Sequence, residues 1–213
     1  MSGRSLRRGA AEHGIEVREI RRTYADGSEY PTIKQVIENP DRMQVPIPVQ
    51  LASGAPASRT CTVEWKAKAL SKARRDMGAS CSDPALVAIG FSIDEIERAG
   101  NKREAPDERI VYPLLELELT RQDCARIIAD AGLPVPPKSS CWFCPWHSIE
   151  AWRDMKRDEP DLFAAAVELE AVCASKTRGG AVMTDYGSLR DIEGIQGSLF
   201  DGPQDCTSGA CWT

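Results

Sequence analysis

The sequence predicts an α/β fold with a parallel sheet flanked by helices, and three observations carry that expectation. Ala85–Phe91 (ALVAIGF) is a continuous apolar run with a glycine near its end, the pattern of a strand covered on both faces. Ile15–Ile20 (IEVREI) alternates apolar with charged residues, and Val111–Leu119 is a further strand-like run. Segments of helical periodicity separate and follow these runs, so the strands are expected to be joined by crossovers and to pair in parallel.

Taken in order, the Ile15–Ile20 strand follows a short basic helix that ends at Gly14. Thr32–Glu38 reads as one or two helical turns stopped by Asn39-Pro40, because the residue before proline is pushed out of the helical region. Met43–Ser58 is rich in Pro, Ala, Gly and Ser and reads as an extended loop with a short strand. Thr60–Met77 has helical spacing, with Thr60 or Thr62 as cap and Gly78 as stop. Ser92, followed three residues later by Glu95, has the spacing of a capping box over Ser92–Arg98. Thr120–Ala131 is a helix capped by Thr120 and ended by Gly132. Pro134, Pro136 and Pro137 stiffen the linker to Cys141, and two more helices are expected over His147–Arg157 and Pro160–Ser175. Residues 1–176 are expected to form one domain with a small helical, cysteine-bearing C-terminal portion, and 177–213 an irregular tail.

Composition narrows the function. A net charge of -5 excludes a whole-surface attraction for nucleic acid, yet Arg59, Lys66, Lys68, Lys72, Arg74 and Arg75 face a single acid, Glu64, across residues 59–75. No apolar run reaches the roughly 20 residues of a membrane span. The opening residues lack the apolar stretch of a secretory signal, so a cytoplasmic location is expected. Eight cysteines in such a compartment point to metal ligands or reactive thiols rather than disulfides.

Cys141-Trp142-Phe143-Cys144 sets two thiols two residues apart, which admits a redox dithiol, a zinc site or an iron–sulfur site. The preceding proline linker and the following Pro145 favour ligation; two buried thiols acting as small hydrophobes is the plainer alternative. Cys61, at the start of the basic helix, and Cys124, inside the helix before the linker, stand where they can complete a four-thiolate set. Cys81 and Cys173 receive no role. Cys206 and Cys211, in CTSGAC, read as a second ligand pair, as mobile thiols, or equally as cysteines without a role. Trp142, Phe143, Trp146 and Trp152 form the densest aromatic group of the chain and would wall the cysteines from water. His147, close behind, reads either as structural or as a donor supporting the ligands.

Four segments, in order, carry a resemblance: RTCTVEWKAKAL (Arg59–Leu70), GFSIDEIER (Gly90–Arg98), YPLLELELTRQDC (Tyr112–Cys124) and AGLPVPPKSSCWFCP (Ala131–Pro145). Together they resemble the phosphoadenosine phosphosulfate reductase family, of the adenine nucleotide alpha hydrolase (HUP-type) group, over roughly residues 14–170. The resemblance implies that group's α/β fold and a four-iron (4Fe-4S) cluster, more than zinc, on cysteine ligands. Cys61, Cys141 and Cys144 match three such ligands; Cys124 is assigned as the fourth from its context, since Thr60 and Thr62 flank Cys61 where a cysteine pair is expected. Arg59, Lys66 and Arg98 match anion-binding positions of the family, with Lys138 and Asp94 added as substrate contacts. The plainer readings are a solvated helix face for the basic residues and helix capping for the acids. A C-terminal cysteine attacks the sulfonate in the reductases, a part that Cys206 or Cys211 would take, although neither lies in the usual tail motif.

The family's SGGxxS phosphate loop is not found: LASGAPAS (Leu51–Ser58) resembles it but stands after the wrong segment, and Walker and dinucleotide patterns are missing too. Either a first βα unit is encoded upstream or the protein is a short relative with weak or no nucleotide hydrolysis. The implied function is reduction or sulfur transfer on an adenylylated or sulfated nucleotide, with ATP or a sulfonucleotide as substrate and a protein partner or a redox donor beside it. The competing expectations are a non-catalytic metal sensor or accessory module, and a zinc-stabilised domain whose Arg59–Arg75 helix binds nucleic-acid phosphates.

Overall fold

A computed structural model describes residues 10, 14–100, 104–136 and 140–195. In chain order the elements are α1 (Ile33–Glu38), β1 (Gln50–Leu51), a π-helical turn (Thr62–Ala67) that continues as α2 (Lys68–Asp76), β2 (Ala85–Ala88), a 3-10 turn (Ile93–Glu95) leading into α3 (Ile96–Gly100), β3 (Glu108–Val111), α4 (Pro113–Glu116), α5 (Arg121–Asp130), α6 (Ile149–Asp158), α7 (Pro160–Lys176), β4 (Ala181–Val182) and a 3-10 turn (Leu189–Asp191). The architecture is mixed helix and strand with two small sheets, β2–β3 parallel and β1–β4 antiparallel. The described residues divide into two compact units, one comprising residues up to 22 and 67–136, the other 23–66 and 140–195.

In the first unit β2 and β3 pair in register from Ala85 with Glu108 to Ala88 with Val111. The strand expected to be covered on both faces is covered on one: β2 alternates, and Leu86 is 72% exposed. Arg74 on α2 is buried and bridges Asp107 (3.0 Å) and Glu108 (2.6 Å), tying the helix to the start of β3. The strand expected over Val111–Leu119 ends at Val111, because Pro113 starts α4 at its first turn, where a missing N–H costs nothing. Residues 15–22 form no strand: the alternation finds no partner, and Ile15, Val17 and Ile20 are exposed. Ser92 precedes its 3-10 turn without a side-chain cap bond, so the expected capping box does not form there.

Thr120 does cap α5. Its hydroxyl accepts from Asp123 N–H (3.1 Å), the Asp123 carboxylate accepts from Thr120 N–H (3.0 Å), and Gly132 ends the helix at φ +72°. Thr120→Ala should therefore cost about 1 kcal/mol, read as a lower urea midpoint with an unchanged slope.

The second unit is organised around α7. Helix α6 joins α7 through the single residue Glu159, and α1 and the β1–β4 pair pack on α7 as well. Ile37, Val49, Trp152, Phe163, Leu169, Cys173, Met183 and Leu189 belong to one core cluster. The Lys176 ammonium at the end of α7 donates to the Ile37, Asn39 (2.6 Å) and Arg42 (2.8 Å) carbonyls, which fixes the end of α1. Residues 181–195 correct the expectation of a tail from 177 onward: Ala181, Met183, Leu189 and Ile192 are buried. Gly179 and Gly180, at φ +85° and +86°, make the turn into β4, and a side chain on Gly179 would meet Ala52 Cβ at 3.1 Å.

Candidate metal and anion centre

The centre is built in the second unit from two stretches far apart in sequence. Cys61 is held at the start of its helix by its N–H, which donates to Pro46 O (2.9 Å), and is half-buried against the core. The wide turn that follows coincides with an anchor: Trp65 Nε1–H donates to Pro31 O (2.8 Å), and its ring meets Tyr30 edge-on at 5.6 Å. Residues five apart in an α-helix point about 140° away from each other. In an i→i+5 turn they come within about 50°. The π turn therefore brings Lys66 onto the face that Cys61 starts.

Cys141–Cys144 forms a closed turn, with Cys144 N–H donating to Cys141 O (2.9 Å). Phe143 is buried and meets Trp142 edge-on at 4.9 Å, so the two intervening residues are pinned as apolar wall. The Arg59 guanidinium lies 5.1 Å from the Trp146 ring centroid, a cation–π contact beside the same turn. Burial of its surroundings pushes the Cys141 thiol up, the Lys66 ammonium pulls it down and the Cys61 sulfur pushes it up. The Cys141 sulfur thus lies within electrostatic reach of the Lys66 ammonium and of Cys61.

The donor set suits a soft metal or an iron–sulfur cluster, since thiolates are their preferred ligands. In the side-chain positions observed, no group of three or more His, Cys, Asp or Glu among the described residues is arranged to hold a metal ion. Cys61, Cys141 and Cys144 share one unit; Cys124 lies on α5 in the other.

The remaining assigned residues belong to other settings. Asp94 accepts from Arg121 N–H (2.6 Å) at the start of α5, and that bond holds its carboxyl below the usual range. Arg98 is buried, paired with Glu95, and its guanidinium stands 4.5 Å from the Phe91 ring. Lys138, Cys206 and Cys211 lie outside the described residues. Cys173 is buried in the core with its thiol pushed up to about 12 by burial, which makes it packing rather than chemistry.

Sequence reading missed the wall opposite His147. Thr184, Asp185 and Tyr186, from the stretch expected to be tail, line with Pro145, His147 and Ser148 a cavity of about 20 Å³. That is room for about one ordered water molecule. No signal local to residues 184–186 marks them.

Comparison with known proteins adds no relative: no family model matches the chain, and neither a curated protein nor a solved structure matches it significantly. Among the described residues no helix is long and apolar enough to cross a membrane.

Proposed function

We propose that the protein is phosphoadenosine phosphosulfate reductase-like, of the adenine nucleotide alpha hydrolase group, and binds an adenine nucleotide or sulfonucleotide beside a cysteine-ligated iron–sulfur cluster in sulfur transfer or reduction. The supporting observation is that Cys61, Lys66 and the hydrogen-bonded Cys141–Cys144 turn fall in one compact unit. Cys61, Cys141 and Cys144, which share one unit, would hold the cluster. A bound cluster supplies one-electron transfer and a strong local charge. Lys66 and Arg59 supply the compensating positive charge that a cluster of thiolates, or a sulfate or phosphate group beside it, needs.

A second reading, a non-catalytic metal-binding accessory or sensor module, is favoured by two residues already engaged within the protein. Asp94 holds the start of α5, and Arg98 is paired with Glu95.

Anaerobic purification followed by iron, sulfide and zinc analysis tests the shared claim. Wild type should carry metal, and Cys61→Ser, Cys141→Ser and Cys144→Ser should each lose most of it; equal metal in all four removes the proposal. Turnover of adenylyl sulfate or of its 3′-phosphorylated form separates the two readings, since the accessory module shows none.

A further inference from the structure

The Cys141 carbonyl takes two hydrogen bonds. One comes from Cys144 N–H (2.9 Å), inside the turn; the other joins it to the His147 ring at Nε2 (2.9 Å). A carbonyl oxygen only accepts, so this contact places the proton on Nε2, which also has the Ser140 hydroxyl at 3.4 Å. The chain beyond is tied down residue by residue. His147 N–H donates to Cys144 O (3.2 Å), the Ser148 hydroxyl accepts from Ala151 N–H (3.2 Å) to cap α6, and Trp152 N–H donates to Ser148 O (3.1 Å). The His147 ring packs edge-on against Trp152 at 4.8 Å, and Trp152 is fully buried. The imidazole is therefore fixed from behind by the core while its Nε2–H grips the backbone of the first cysteine.

We infer that His147 is a positioning residue for the thiol centre: through the Cys141 carbonyl it holds the Cys141–Cys144 turn in one conformation, so that the two sulfurs are presented to a metal without first ordering the loop. This rests on the metal-binding reading above and deepens it. His147 acts through the backbone of a ligand and is not itself a ligand. Side chains that orient a metal's ligands commonly contribute about 10–100-fold in affinity, and the ordering cost avoided here falls on four residues.

The test is titration of the reduced, metal-free full chain with Co(II) alone, read by the thiolate-to-cobalt absorption, on wild type and two variants. His147→Phe keeps an aromatic ring against Trp152 and removes the donor. His147→Gln places an amide N–H near the position of Nε2 and removes the ring. The expected result is Co(II) affinity about 10-fold weaker in His147→Phe and within about 3-fold of wild type in His147→Gln. The wavelengths of the cobalt bands should be the same in all three proteins. Wild-type affinity in His147→Phe, or a loss confined to His147→Gln, overturns the inference and leaves His147 as core packing. Cobalt bands that move in both variants also overturn it, by making the ring a ligand. Wild type showing no thiolate–cobalt absorption sinks the metal-binding reading and this inference with it. Thermal melts of the metal-free proteins identify a variant that fails to fold, and the other then decides: His147→Phe by losing or keeping affinity, His147→Gln by keeping or losing it.

Discussion

Trp152→Ala is expected to destabilise the protein by about 3–5 kcal/mol, the range for removing a large aromatic from a core that cannot collapse around the gap. Trp152 has no exposed surface and sits in the same cluster as Ile37, Leu169 and Met183. Helix α6 carries it inward through the Ser148 cap, and its ring backs the His147 imidazole. The variant should therefore show a lower urea midpoint and, as a second effect, a weaker Co(II) site. Trp152→Phe separates packing from polarity: it shrinks the ring but also removes an indole N–H that is buried without a hydrogen-bond partner among the described residues. Its cost should fall well below that of the alanine variant. Equal losses for Phe and Ala would mean that ring volume is not what the core requires.

Glu170→Ala is the second large effect, expected at about 3–4 kcal/mol. Glu170 projects from α7 into the interior with 4% of its surface exposed. It accepts from Met183 N–H (2.7 Å), Leu189 N–H (3.1 Å) and the Ser188 hydroxyl (2.5 Å). These bonds fasten the 181–191 stretch, which has little regular structure of its own, to α7, the longest helix among the described residues. Removing the carboxylate leaves two backbone N–H groups buried with no acceptor, and a charge-assisted bond is stronger than a neutral one. Glu170→Gln should recover part of the loss, since its carbonyl oxygen still accepts while its NH₂ faces donors. The checks are urea unfolding of the three proteins and hydrogen exchange at Met183 and Leu189, which should quicken in the alanine variant before global unfolding. Unchanged exchange at both amides would show that Glu170 does not hold this stretch.

What could be read from local sequence was whatever local chemistry decides. The Thr120 cap and Gly132 terminator mark α5, Pro160 opens α7, and Asn39-Pro40 stops α1, because caps and prolines act within one turn of the chain. Strands were legible only where a partner exists. The Ile15–Ile20 alternation has the right period but no partner strand among the described residues, and a strand without a hydrogen-bonding partner has no reason to persist. Val111 and Pro113 show the reverse error: an apolar run read as one strand is cut by a proline suited to a helix start. The burial of Pro46–Val49 and of Met183 was invisible for the same reason, since loop-like composition says nothing about which loop the core covers.

The candidate centre divides along the same line. The sequence by itself determined the chemistry available to this protein: a CxxC turn set between prolines, a lone cysteine opening a basic helix, aromatic walls and a histidine close behind. Only the tertiary structure decided which of these meet. Packing around α7 brings the Cys61 helix and the Cys141 turn into one unit, the π turn swings Lys66 onto their face, and the buried Trp152 aims His147 at a carbonyl. Residue type is written at each position, whereas nearness between residues 80 apart is set by the burial of a shared apolar core, which no local pattern encodes.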